Sequence, residues 1–457
     1  MDLTLYEILK SVFGIFNGNS SCEVKIKDIK IDSKKINKGD LFVPVKGENF
    51  DGHDFINEAF ERGAFFSLSD KKHNLNKNKN IIYVEDTLDS LQNLAKFYRE
   101  KFDNVKIVGI TGSVGKSTVK EMLYSVLSAS YNVLKTQGNL NGQIGVPLTI
   151  FNLNKETDFL VIEMGVSFPG EMIKLQKIVD PDFAIITNIG ESHITNFDNI
   201  ENICNEKLKI IKNSGKNKIY INSDDEILKK NNKMKNTIHF GFNEKKFFEI
   251  SDIKSDSSKT YFELKYKNEL KRIILPCLGN HNVSNVLAVI TFALDIGMNL
   301  ETIISGIQKY EKLPMRQNIE TFGNTILIDD TYNSSLNSIQ AALSVIDNID
   351  NGKKILILGD VNELGENAER INKKIGEIIA KSKINILVIF GISIILAANE
   401  ITNKNNTIKV HKATSIDEII EILRNEIKKK CIILLKASRK ERFDKIALEI
   451  KKRLFCI

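Results

Sequence analysis

Cysteine is scarce and carries no pattern. Cys22, Cys204, Cys277, Cys431 and Cys456 are scattered and odd in number, and no CxxC occurs, which leaves neither a disulfide framework nor a zinc ribbon. Long apolar runs are missing as well. The longest, such as the one ending at Phe390, fall far short of the roughly 20 residues that a membrane span needs. Charge of one sign is in mild excess only, with 65 Lys+Arg against 58 Asp+Glu. No basic block exceeds a few residues, so nothing demands a nucleic-acid groove. No short-period repeat is present. The N-terminus, MDLTLYEILKSVFGIF, reads as an amphipathic helix without a basic start or a cleavage site. What is there is ordinary for a globular chain: 42% hydrophobic and 27% charged residues, which excludes wholesale disorder. At about 150 residues per domain, the 457 residues suggest about three domains. The expectation is a soluble, multidomain protein of a reducing compartment.

Three blocks follow one another. In the first, strand-like pieces (24–31, 40–45) surround a helical stretch (54–62). A polar Lys/Asn-rich loop at 71–80 precedes a strand, IIYV, and a helix ending near Phe102. The second alternates apolar strands (VKIVGIT, DFLVIEMG, FAIITNIG) with helix-period segments, which reads as βαβ units with a parallel sheet. Val119, Met122, Leu123, Val126 and Leu127 share one helical face. Residues 236–275 read as a meander of TIHFGF, YFELKY and KRIILP, before a long apolar helix opened by LGNHNVSN. The third block begins after KLPMRQNIE and holds four apolar strands, NTILIDD, KILILGD, NILVIFG and CIILLKAS. Its plan is that of a dinucleotide-binding domain, but no GxGxxG follows its first strand, so a dinucleotide is not favoured.

The strongest chemical signal is GITGSVGKST at 109–118. A strand runs into Gly112, Ser113, Val114, Gly115, Lys116, Ser117 and Thr118, and a helix follows. Backbone N–H groups at such a turn can cradle phosphate. Lys116 adds charge for the β- and γ-phosphates, and the Ser117 hydroxyl can ligate Mg²⁺. Because residue 110 is Ile110, this is the shorter TGxxGK[ST] form. A Gly-rich turn that merely contains lysine is the alternative, against which the flanking strand and helix argue.

A phosphate loop needs an acid on a neighbouring strand. Glu163 ends such a strand, at the sheet edge where ligands bind, or is a solvated strand-end acid. His193 in ESHI is a ligand or a structural histidine, and Lys207 in NEKLKI reads as a solvated helix lysine. Asn139 and Asn141 in GNLNGQIGVPLT either bond a polar substrate or build Asx turns. Asn280, His281, Asn282 and Asn285 cap a helix or read a purine edge. Arg316, at the junction of blocks two and three, forms an ion pair or reaches a phosphate on domain closure. Asp329, Asp330, Thr331, Tyr332 and Asn333 follow one strand. Lys436, Ser438 and Arg439 follow another, as carboxylate binders or an exposed basic helix start.

Taken in this order the motifs resemble the Mur ligase family, ATP-dependent ligases that extend the peptide stem of the bacterial cell-wall precursor. The resemblance covers essentially the whole chain. IDSKKINKGDLFVPVKGENFDGHDF is similar to the family's uridine-nucleotide segment. TGSVGKST, GNLNGQIGVPLT, VIEMG, ESHI and GNHNVSN are similar to its centre, and DDTYNSS, LGDVNELG and LKASR to its third part. GNLN with IGVP, DDTYN and GDVNELG resemble the branch that adds a D-alanyl-D-alanine dipeptide to a UDP-N-acetylmuramoyl-tripeptide. The Asp-Asn-Pro-Arg tetrad of the diaminopimelate-adding branch does not occur in the sequence.

The resemblance implies an α/β fold of three domains. Residues 1–82 would form a small α/β domain for the UDP-muramyl substrate, and 83–313 a central P-loop parallel-sheet domain for ATP. Residues 314–457 would form a Rossmann-like domain for the dipeptide. It implies ATP and two Mg²⁺ ions, with Lys116, Lys207 and His193 as catalytic groups. Ser117, Glu163 and His193 would hold Mg²⁺, joined by a Lys207 carbamylated by CO₂. Gly112, Ser113, Gly115, Lys116, Ser117 and Thr118 would hold the nucleotide, with Asn280 and Asn285 near adenine and Arg316 on phosphate. Asp330, Tyr332 and Asn333 would complete that site. Ser33, Gly47 and His53 would serve the uridine nucleotide, and Asn139 and Asn141 the muramyl tripeptide. Lys436, Ser438 and Arg439 would bind substrate. The implied protein is a cytoplasmic monomer of peptidoglycan precursor synthesis, without nucleic-acid partners.

Four residues depart from the family pattern: Lys34 for Arg, Gly142 for Asn, Lys209 for an acid, and Ala437 for Gly. Lys209 could pair with a carbamate or compete with Mg²⁺. A sibling ligase adding one amino acid, a polyglutamate-type ligase, a P-loop switch ATPase and an inactive binding protein remain as alternatives. The first block and DDTYN argue against the sibling and polyglutamate readings.

Overall fold

The computed structural model describes all residues except 2, 48, 71–79, 257, 350–351, 405–406, 428–429 and 456–457. The loop expected at 71–80 therefore falls almost wholly outside the described residues. No helix among them is long and apolar enough to cross a membrane.

The expected N-terminal helix runs over Leu5–Val12. A reciprocal cap starts it: Glu7 N–H donates to Thr4 Oγ1, and Thr4 N–H donates to the Glu7 carboxylate, which satisfies two otherwise orphaned donors. Its buried face (Leu5, Ile8, Val12) lies against the helix Thr87–Arg99. The first sheet has five strands in the order Ile15–Asn17, Ile81–Val84, Phe66–Asp70, Leu41–Phe42, Ile29–Lys30. Only the first pairing is antiparallel. The single strand expected at 24–31 is two: Lys25–Ile26 pairs with Leu3–Thr4, and Ile29–Lys30 joins the main sheet. Ile81–Val84 belongs wholly to this sheet, so a division between residues 82 and 83 cuts a strand in half. The helix Thr87–Arg99 that follows packs both on Leu5–Val12 and on the central helices Gly145–Ile150 and Glu171–Val179.

The central sheet is six parallel strands in the order Thr237–Phe240, Lys218–Asn222, Phe183–Ile186, Lys106–Thr111, Phe159–Glu163, Val133–Lys135. Lys106–Thr111 sits inside, covered on both faces, which is why it reads as an unbroken apolar run. The helix Lys116–Leu127 lies on it, with Val119, Met122, Leu123, Val126 and Leu127 fully buried against the helices Asn280–Asp295 and Leu300–Gln308. The expected meander is corrected. TIHF closes the edge of the parallel sheet. The antiparallel meander is Glu249–Ser255, Thr260–Tyr266, Glu269–Leu275.

The third sheet has six strands in the order Asn318–Phe322, Thr325–Asp330, Cys431–Lys436, Lys353–Gly359, Ile386–Phe390, Lys409–Lys412. The four apolar strands form its middle. The two flanking strands are additions to the expected set. All pairings but the first are parallel. The carboxyl ends of the central and third sheets face a common space.

Candidate active site

The P-loop conformation follows from two glycines. Gly112 has φ 146° and Gly115 φ 88°, values open to glycine and strained for other residues. Space is closed as well. A Cβ on Gly112 would lie 2.0 Å from Thr187 Oγ1, and one on Gly115 2.5 Å from Asn285 Oδ1. Ser113 N–H donates to Asn188 O (2.9 Å) and Val114 N–H to Asn188 Oδ1 (3.0 Å). The next donors are those of the first helical turn, which no intrahelical carbonyl can satisfy and which favour an anion. Lys116 folds back over the loop, its Nζ 2.8 Å from Gly112 O and 3.3 Å from Ser113 O. Burial pushes its pKa down. Glu163 opposes this shift and Arg316 adds to it.

The loop opens onto a cavity of about 750 Å³ at the seam between the central and third domains. Gly112, Ser113, Gly115, Lys116, Ser117 and Thr118 line one side. Glu163, His193, Lys207, Asn139, Asn141 and Asn285 continue it. Arg316, Asp330, Tyr332, Asn333, Lys436, Ser438 and Arg439 enclose it from the third domain.

Glu163, from the end of its strand, is buried. Its Oε1 accepts from Asn141 Nδ2 (2.8 Å), and its Oε2 has no hydrogen-bond partner. Ser117 Oγ accepts from Arg316 Nη2 at 3.1 Å. Among the described residues no group of three His, Cys, Asp or Glu side chains could hold a metal alone. A carboxylate oxygen without a hydrogen-bond partner and a serine hydroxyl lining the same cavity suit Mg²⁺, which takes one or two protein oxygens and completes its shell with phosphates and water. His193 has φ 59°. Its Nδ1 lies 2.7 Å from Glu363 Oε2, outside hydrogen-bond angles. Burial lowers its pKa and Glu363 opposes this, while Lys116 and Lys207 lower it further.

Lys207 is not a solvated helix lysine. It is buried, its Nζ donates to Gly112 O at 3.2 Å, and burial together with Lys116 pushes its pKa down to about 7. Lys209 does not crowd it. Its ammonium pairs with Glu206 Oε2 at 2.7 Å.

The third domain brings charges in pairs. Lys436 Nζ is buried 2.6 Å from Asp330 Oδ2 and 3.0 Å from Asn333 O. Neither an exposed helix start nor a free carboxylate binder describes it. Arg316 stacks on the Tyr332 ring at 4.1 Å, with Arg439 at 5.9 Å. Ser438 Oγ accepts from Asn362 N–H at 2.9 Å.

Four expected residues lie elsewhere. Asn280 is exposed at the helix start and does not line the cavity. Its neighbours do: Asn282 Nδ2 donates to Gln317 Oε1 (3.2 Å), and Gln317 Nε2 lies 2.9 Å from His281 Nε2. The cap of this helix is Gly279, without a side-chain bond, so capping does not explain the asparagines. In the first domain, Ser33 Oγ donates to Glu58 Oε2 (2.9 Å). Gly47 N–H donates to Phe50 O (2.9 Å). His53 lies 2.6 Å from Asp51 and accepts from Asp70 N–H at 3.2 Å. None of the three lines the cavity. Residues that sequence reasoning did not single out include Asn188, Gln317, Glu363 and Lys120.

Fold and cavity define a three-domain P-loop protein with its phosphate loop turned toward a second α/β domain. Sequence profiles of the Mur ligase family match in chain order: the family's catalytic domain over residues 25–99, the Mur ligase middle domain over 110–293, and the glutamate ligase domain over 315–439. The UDP-N-acetylmuramoyl-tripeptide–D-alanyl-D-alanine ligase of Bacillus subtilis (strain 168) is 33% identical over 450 residues, 98% of each chain. MurF from Acinetobacter baumannii superposes with a TM-score of 0.89 at 27% identity, over 99% of each chain. MurF from Thermotoga maritima, solved with ADP, superposes at 0.84 with 30% identity, over 94% of this chain and 98% of that one. The chain belongs to the Mur ligase family.

Proposed function

We propose that the protein joins D-alanyl-D-alanine to UDP-N-acetylmuramoyl-tripeptide at the expense of ATP, in the cytoplasmic synthesis of the peptidoglycan precursor. The observation that carries this reading is the convergence of Lys116, Glu163, Lys207 and Arg316 on one cavity between two domains. A carboxylate is a poor acyl donor because oxide would have to leave. Transfer of the γ-phosphate makes an acyl phosphate. The amine of the dipeptide then attacks its carbonyl carbon, the amine proton is lost, and phosphate leaves as the amide forms.

Two anions must meet in the first step, so the site must supply positive charge where it develops. Lys116 and the first-turn N–H groups hold the β- and γ-phosphates. Arg316 leaves Ser117 for phosphate as the third domain settles. Ser117 and Glu163 would hold Mg²⁺, with His193 as a further ligand from the same cavity. The ion supplies neutralisation of phosphate charge. Lys207, with a pKa near 7, carries a substantial fraction of neutral amine at physiological pH. The neutral amine would add CO₂ and release one proton to give an anionic carbamate, which would serve a second Mg²⁺. Asn139 and Asn141 orient the tripeptide, and Ser33, Gly47 and His53 belong to the domain that takes the uridine nucleotide. Enclosure of the seam keeps water from the acyl phosphate.

The deciding assay follows ADP release from ATP with UDP-N-acetylmuramoyl-tripeptide, with and without D-alanyl-D-alanine. Turnover is expected only with both. Turnover without the peptides would instead mark a switch ATPase, and turnover with a single amino acid a sibling ligase.

A further inference from the structure

Lys120 lies one turn beyond Lys116 on the same helix and is completely buried. A buried ammonium survives only when its donors and its charge are answered. Nζ of Lys120 donates to Thr136 O at 2.9 Å and to Gly138 O at 3.2 Å. It stands 3.1 Å from Glu121 Oε1 and 3.9 Å from Glu163 Oε2. Glu121 also pairs with Lys135. The cluster therefore balances two cations against two anions beneath the cavity floor.

The two carbonyls belong to the loop that carries Asn139 and Asn141. Glu163 fastens its ends: Thr136 Oγ1 accepts from Glu163 N–H (2.9 Å), and Asn141 Nδ2 donates to Glu163 Oε1 (2.8 Å). Between those ends Gly138 turns through φ 52°, and a Cβ there would meet nothing within 4 Å. Lys120 is the side chain that ties this open turn to the phosphate-loop helix.

We propose that Lys120 is a positioning residue for the muramyl peptide. It holds the loop of Asn139 and Asn141 against the helix whose first turn takes the triphosphate, so that the carboxylate and the γ-phosphate arrive in register. The role rests on the ligase reading above. It acts through the loop and does not require Lys120 to touch substrate.

The test compares Lys120→Met and Lys120→Arg with the wild type, varying ATP and UDP-N-acetylmuramoyl-tripeptide separately in the ADP-release assay. Loss of a buried charge-assisted bond should lower kcat/KM for the peptide by at least about tenfold. Affinity for ADP, read by titration, should stay within about threefold. Lys120→Arg should recover most of the peptide term. An equal loss for both substrates, or no loss, overturns the proposal. Should Lys120→Met lack a cooperative melting transition, Lys120→Gln keeps a donor without the charge and must show the same split. Hydrogen exchange supplies a readout independent of substrate identity. Amides of 136–141 should exchange faster in the variant while those of 112–118 do not, and unchanged exchange at 136–141 overturns the proposal. A wild type that fails to turn over ATP with these peptides would sink the ligase reading, and the exchange result would still judge Lys120.

Discussion

His281 offers the sharpest quantitative test of the site's electrostatics. Its imidazole lines the cavity, and burial pushes its pKa from 6.5 down to about 4, with Asp330 opposing and Lys436 adding to the fall. Gln317 explains why a proton is unwelcome. Its Oε1 is occupied by Asn282 Nδ2, which turns its Nε2 donor toward His281 Nε2. A proton on that nitrogen would face another donor. Above pH 6.5 the ring is neutral in both folded and unfolded chains, and it contributes no pH dependence. As pH falls from 6.5 to about 4 the unfolded chain takes up the proton and the folded chain does not, so stability is lost across that window. At about 1.4 kcal/mol per pH unit, full development of that gap is worth roughly 3 kcal/mol, and partial solvent screening makes this a ceiling. His281→Gln keeps an acceptor for Gln317 and removes the titration. Urea denaturation of both proteins between pH 7.5 and 4.5 cancels the carboxylates they share. The variant should be the less stable at pH 7.5, and the difference should close by roughly 2–3 kcal/mol at pH 4.5. A difference that stays constant across the range would refute the reasoning.

Three further outcomes follow from the same geometry. Lys116→Ala should lower kcat by about 10²–10³ with little change in melting temperature, since the bonds it removes end on carbonyls of its own loop; normal phosphate release by the folded variant would contradict this role. Glu163→Gln should preserve the bond from Asn141 while raising the Mg²⁺ concentration for half-maximal rate by at least about tenfold, measured by Mg²⁺ titration of ADP release. Gly112→Ala should cost about 1–3 kcal/mol and abolish ADP binding, because the added methyl collides with Thr187; calorimetric melting and ADP titration check both.

The parallel sheets were legible because strands covered on both faces must be continuously apolar, as in VKIVGIT, KILILGD and CIILLKAS. Of the strands not singled out, Phe66–Asp70 and Lys218–Asn222 are interior and buried, while several others are edges. Glu249–Ser255, Asn318–Phe322 and Lys409–Lys412 expose much of their length, and an edge protects itself from further pairing with polar residues, which erases the pattern. In the site, residues fixed by local geometry were readable: the two loop glycines, Lys116, and an acid at a strand end. Asn280 shows the limit. Helical residues three apart share a face, so Asn282 and Asn285 point together into the cavity, while Asn280, two positions earlier, points away. The i, i+3 spacing was the available signal. The contact of His193 with Glu363 crosses from the central to the third domain, and no local pattern encodes it. The burial of Lys207 depends on packing against Gly112, 95 residues away.

The cavity is built at a cost that binding can relieve. Lys116 and Lys207 are both held below their ordinary pKa by burial, with Lys116 adding to the fall at Lys207 and Arg316 adding to the fall at Lys116. Without a triphosphate these cations face one another across little solvent, and Glu163 offers the nearest counter-charge to Lys116. Such desolvated like charges destabilise the folded state in the absence of ligand. An incoming polyanion removes the repulsion and satisfies the first-turn donors at once, so nucleotide affinity and nucleotide-induced stabilisation share one origin. The same argument explains why the third domain contributes cations in guarded form. Lys436 is neutralised by Asp330, and Arg316 is parked on Ser117 and Tyr332. If both were bare, the seam between the domains would be held apart by its own charge. Guarded, the domains can rest against each other, and Arg316 is free to exchange a hydroxyl for a phosphate.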